Sequence, residues 1–128
     1  MRIFKTRTLA RFARQHSIAD ESLVEAVQRA VRGLVDADLG GQIIKQRVAR
    51  QGQGRRGSFR MLIGIRSDRA IFLFGFAKNE RENIERAELM TLREIAAPFL
   101  NADDMMINKA LKDGALIEVQ NGSEAAKA

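Results

Sequence analysis

Between Ser58 and Ala77 the chain carries two apolar runs, SFRMLIGIR and AIFLFGFA, joined across a short turn marked by Asp68. In the first, Phe59, Met61, Ile63 and Ile65 line one face, and Arg60 and Arg66 lie on the other. The second, Ala70 to Ala77, is apolar on both faces. A strand of that kind is buried on both sides, which places it centrally in a sheet. Two strands joined by so short a turn pair antiparallel. The rest of the chain has to be arranged around this hairpin.

A third strand precedes it. In QIIKQRVA (Gln42 to Ala49), Lys45 and Arg47 fall on one face and Ile44 and Val48 on the other. The loop RQGQGRRG, residues 50–57, connects it to Ser58. Upstream, Arg2-Ile3-Phe4-Lys5 alternates like a short strand. Leu9, Phe12 and Ala13 then recur at helical spacing. After a break at His16-Ser17, Asp20 is placed to cap a second helix striped by Leu23, Val27, Ala30, Val31 and Leu34. Asp36 to Gly41 stops it, with the glycine pair suited to a turn.

Downstream, Leu89, Leu92, Ile95, Ala96 and Phe99 define a third helix, which Pro98 should bend or end. Met106, Ile107, Ala110 and Leu111 fit a short fourth one, and Ala115 to Val119 a last strand. The expected order is β-α-α-β-β-β-α with C-terminal helices. This is an α+β domain over residues 1–119, with two N-terminal helices against a twisted, mainly antiparallel sheet. Residues 120–128 read as a disordered tail. Helices over one face would leave Lys45, Arg47 and Arg60 as a concave basic patch on the other.

Charge supports that patch. Residues 1–78 hold 16 Lys+Arg against 6 Asp+Glu, whereas residues 79–128 hold 6 against 10. Such asymmetry favours a polyanion met by the first part of the chain. Fixed cations on a rigid sheet can bind a phosphodiester and stabilise a pentacoordinate transition state. The loop arginines Arg50, Arg55 and Arg56 can clamp RNA backbone among glycines. Cysteine is absent and His16 is the one histidine, so thiol chemistry and a two-histidine ribonuclease mechanism are excluded. No metal site or cofactor is expected, and no apolar run reaches a membrane span. A reduced cytoplasm is the simplest home.

The central strand ends in FAKNEREN, residues 76–83. Asn79 with Glu82 three residues on is close to a capping box. Lys78 and Arg81 are left over, crowded at the sheet edge beside the basic face.

Taken together, QIIKQRVARQGQGRRGSFRMLIGIRSDRAIFLFGFAKNERENI resembles the RelE/HigB group of bacterial toxin–antitoxin toxins, through a GQG-R-x-G-x-x-R motif followed by FxKNExxNI. The resemblance spans Met1 to about Val119. It implies a toxin that cleaves mRNA on the translating ribosome without a metal, the 2′-hydroxyl attacking the adjacent phosphate. It also implies a cognate antitoxin, a helix-turn-helix protein through which DNA is met only indirectly. Carried over by motif, Lys45, Arg47, Arg60, Lys78 and Arg81 form the catalytic cluster. Two positions depart from the pattern: Glu85 stands where the best-studied members have tyrosine, and Asn79 where they have an arginine. The general base is then Lys45, Glu82 or Glu85. The alternatives are a ParE-like toxin acting on a protein and an RNA-binding module without catalysis.

Overall fold

The computed structural model describes residues 1–49, 58–78, 80–81 and 83–120. Its elements are β1 (Arg2–Thr6), α1 (Arg7–Gln15), α2 (Asp20–Val31), β2 (Ala37–Gly40), β3 (Ile43–Ala49), β4 (Ser58–Arg66), β5 (Arg69–Ala77), α3 (Arg86–Leu100), α4 (Asp104–Lys112) and β6 (Leu116–Glu118). Among the described residues the strands form one sheet in the order β2-β3-β4-β5-β1-β6. β1 runs parallel to β5, and the other neighbours are antiparallel. The α+β class and the two N-terminal helices against the sheet are as the sequence predicts. The expected tail beyond Gln120 lies outside the described residues.

Both faces of the sheet are covered, not one. α1 and α2 bury Leu9, Ala13, Leu23 and Val27 against Ile44, Phe59, Met61, Ile63 and Phe72. α3 and α4 bury Leu92, Ala96, Leu100 and Ile107 against Phe4, Leu62, Ile71 and Leu73. The cause is β5 itself, whose apolar residues on both sides need two apolar layers. The C-terminal helices therefore share the basic face with the cations and leave them its β3 end.

The segment expected only to stop α2 contains an additional edge strand. Gly40, Gly41 and Gln42 have φ of 79°, 61° and 66°, so the chain reverses and Ala37–Gly40 pairs with β3. Ala-Asp-Leu-Gly has little strand propensity, so the pairing is set by that turn. Asp20 is not the cap of α2. Ala19 holds that position without a side-chain bond. Asp20 instead accepts from Lys5 Nζ at 2.9 Å and from the Gln120 N–H at 3.1 Å.

Pro98 does not end α3, which continues to Leu100. The last carbonyls of α3 are taken up by the β4–β5 turn. Arg66 Nη1 donates to the Leu100 carbonyl at 2.5 Å, and Arg69 Nη1 to those of Phe99 and Ala102 at 2.9 and 2.7 Å. Two cations at a helix C-terminus also complement its dipole.

Candidate nucleic-acid interface

Register assembles the basic face. Arg47 on β3 is the direct partner of Arg60 on β4, and Arg60 is the partner of Phe76 on β5. The adjacent row is Lys45, Leu62 and Phe74. Period-two alternation alone would put Phe72 on the same side as Phe74 and Phe76. The register slips between Leu62 and Ile63, whose β5 partners are Phe74 and Phe72, so Leu73 is skipped. That irregularity sends Phe72 into the α1/α2 layer and keeps Phe74 and Phe76 under the cations.

Directly opposed like charges destabilise an antiparallel pair. Among the described residues, no Asp or Glu side chain forms an ion pair with Lys45, Arg47, Arg60 or Lys78. Nη1 of half-buried Arg60 is shielded from solvent and makes no hydrogen bond. The arrangement is electrostatically incomplete in the direction that an anion would correct.

The strand carrying these groups is held firmly. The Arg47 N–H donates to Asp36 Oδ2 at 2.7 Å, and its carbonyl accepts from Arg29 Nη2. Gln46, fully buried on the opposite side, donates to the Ala26 and Leu34 carbonyls, each at 3.0 Å, and accepts from the Asp36 N–H at 3.1 Å. With every polar atom of the Gln46 amide engaged, β3 is fixed to α2. The cations thus project from a rigid support.

The segment after β5 closes one side of the site. Ala77 accepts from the N–H groups of Glu80 and Arg81 at 3.0 and 3.3 Å, forming a helical turn that leaves Lys78 exposed. Asn83 Oδ1 accepts from Lys45 Nζ at 3.0 Å, bridging this segment to β3. Arg81 lies over the rings of Phe76 and Phe74, 5.4 and 5.9 Å from their centroids. It forms a two-pronged ion pair with Glu88, through Nη2 to Oε1 and through Nη1 to Oε2 at 3.2 Å. That contact holds Arg81 above its ordinary pKa and the Glu88 carboxyl below the usual glutamate range, the Glu85 N–H adding to the second effect.

The structure therefore brings Lys45, Arg47 and Arg60 together on one face and Arg81 beside them, but Arg81 arrives already paired. Lys78 stands on the turn, without a described side-chain partner. Arg50, Arg55, Arg56, Asn79 and Glu82 lie outside the described residues. The capping box proper belongs to Glu85 and Glu88, where the Glu85 N–H donates to Glu88 Oε1 at 3.0 Å and α3 begins. Phe59 faces away from the cations, packed on Phe12 and His16 with centroids 5.6 and 4.9 Å apart.

Sequence reasoning missed Glu88, Asn83 and Phe74 as parts of this site. Asn83 was visible in the FAKNEREN cluster, whereas the seven-residue step from Arg81 to Glu88 follows no local rule. Among the described residues, no three His, Asp or Glu side chains cluster as metal ligands would, and no helix is long and apolar enough to cross a membrane.

A family model described as the RelE toxin of the RelE/RelB toxin–antitoxin system matches residues 1–119. No curated protein matches the chain.

Proposed function

The chain belongs to the RelE toxin family and so is the toxin of a toxin–antitoxin module with a cognate antitoxin, and from that premise we propose that it is a ribosome-dependent mRNA endonuclease. The observation that carries this reading is the Arg47–Arg60 pair, two opposed cations without a carboxylate partner among the described residues.

In this reading a phosphodiester of mRNA sits across Arg47 and Arg60 with Lys45 beside it. The 2′-oxygen attacks the adjacent phosphorus, the new P–O2′ bond forms and the P–O5′ bond breaks. The products are a 2′,3′-cyclic phosphate and a 5′-hydroxyl. Guanidiniums fixed on adjacent strands favour the dianionic pentacoordinate state over the monoanionic ground state, because their attraction grows with the developing charge. No metal is required for that step. The proton leaving the 2′-hydroxyl passes to Glu82, Glu85 or the free-amine form of Lys45, and the departing 5′-oxygen takes up a proton from water or from the acid so formed.

The same cations favour an acidic antitoxin segment as the inhibitor, laid over Lys45 and Arg47 with its helix-turn-helix part elsewhere. Residues 1–119 act as one domain in this account, in the cytoplasm where ribosomes are.

Inducing the protein without its antitoxin, then mapping RNA 5′ ends, tests the reading. The expected result is growth arrest with new 5′ ends inside translated messages. Arrest with unchanged RNA would point to a protein target.

A further inference from the structure

Beside the cation rows lies an open cavity of about 220 Å³, lined by Phe74, Ile84, Glu88, Thr91 and Leu92. Its walls are mostly apolar, and Arg81 lies over the ring of Phe74, one of the lining residues. Pockets that enclose a drug-sized ligand run to roughly 300–1,000 Å³, so this one is sized for a single ring system.

We propose that this cavity is a nucleobase subsite that selects a base carrying an exocyclic amino group and disfavours uracil. The inference rests on the RNA reading above and adds which feature of the RNA is read. Phe74 is the row neighbour of Leu62, one row from Arg60. Diagonal neighbours on adjacent strands are about 7–8 Å apart, which is within the span of one nucleotide. A phosphate on Arg47 and Arg60 therefore leaves an adjoining base within reach of the cavity. Single-stranded RNA is read in this way, with bases splayed onto aromatic rings and guanidinium planes and their edges hydrogen-bonded.

The polar rim decides which base fits. Thr91 lines the cavity, and its Oγ1 spends its proton on the Ala87 carbonyl at 3.1 Å, so what it has left to offer a ligand is an acceptor. Glu88 Oε1 accepts from Arg81 and from the Glu85 N–H, while Oε2 accepts from Arg81 alone and keeps a free lone pair. Two acceptors at an apolar slot match the N–H groups of adenine, cytosine or guanine. The edge of uracil offers one N–H flanked by two carbonyls, so at least one acceptor would face an oxygen. An apolar anchor from an acidic antitoxin would bring further carboxylates towards Glu88, which disfavours that occupant.

The test is equilibrium binding of 2′-O-methyl uridine pentamers, whose methylation prevents cleavage, against the same pentamers with one central A, C or G. At least one amino-bearing pentamer should bind about tenfold tighter than all-uridine. Thr91→Val, on an exposed helix position, should shrink that preference. Ile84→Trp, which fills the cavity, should abolish it while salt-sensitive binding of all pentamers persists. Equal affinities for all four, no binding of any, or an unaltered preference in folded Ile84→Trp would overturn the subsite. So would loss of antitoxin binding in Ile84→Trp with base preference intact. Base preference without RNA cleavage in cells would sink the nuclease reading alone, and cleavage without preference would sink the subsite alone.

Discussion

Thr6 Oγ1 donates to the carbonyl of Leu73 at 3.2 Å, and Leu73 is the residue skipped where β5 slips against β4. The same oxygen accepts the Leu9 N–H at 3.2 Å and so caps α1. One buried hydroxyl therefore starts a helix on one face and satisfies the irregularity that sets phenylalanine placement on the other. The aromatic floor of the basic face is thus joined to β1 through the residue that caps α1.

Thr6→Val should remove both interactions while keeping the volume. Loss of the cap costs about 1 kcal/mol, and the unsatisfied Leu73 carbonyl about 1 kcal/mol more. In urea the midpoint should fall with the slope unchanged, since the surface exposed on unfolding is the same.

Arg69→Met should be more damaging. Arg69 is buried and donates to the Phe99 carbonyl of α3 and to that of Ala102 just beyond it, while pairing with Asp68 at 3.0 Å. Methionine fills the space but removes the guanidinium bonds to both carbonyls, leaving Phe99 only its backbone donors, a loss of about 3 kcal/mol with the Asp68 pair included. Hydrogen exchange should show faster opening at the α3 C-terminus than in α1, and uniform acceleration across both helices would argue against a local capping role.

How far these features were legible varies with their physical origin. The central position of β5 could be read from its apolar faces, and the sharing of Lys45, Arg47 and Arg60 from two-residue periodicity alone. That same doubly apolar strand already required a second helical layer, yet the patch beside it was expected to be open. The β2 strand stayed hidden because it is made by three consecutive positive-φ residues, not by side-chain pattern. Glu88 stayed hidden because its partner Arg81 is brought to it by the irregular segment between β5 and α3. Asn79 and Glu82, read as capping a strand-to-helix turn, lie outside the described residues, and α3 begins at Arg86.

The Arg81–Glu88 pair gives the fold an acid dependence of definite sign. Glu88 is held below its ordinary pKa, chiefly by Arg81. Its contribution is therefore present above the unfolded glutamate pKa and is lost as pH falls through the lower folded value. Wild type should be the more stable protein at neutral pH, and Glu88→Gln should approach it as pH drops below the ordinary glutamate range. A stability difference that stays constant down to strongly acidic pH would mean that the pair does not contribute.

If the opposed arginines are kept for a ligand, removing one should help the fold. Arg47→Thr relieves the like-charge pair and puts a strand-favouring residue opposite Arg60, a gain of about 0.5 kcal/mol. The same variant should lose toxicity. A less stable Arg47→Thr protein in thermal melts would show that Arg47 is a structural residue.

The most direct test of the central claim is RNA 5′-end mapping after induction of wild type and Arg60→Ala at matched levels. The account places Arg60 against the reacting phosphate, where loss of one fixed donor lowers the rate by about a hundredfold. Wild type should therefore generate abundant new 5′ ends, and folded Arg60→Ala about a hundredth as many at the same positions. New 5′ ends at undiminished frequency in the folded variant would contradict it.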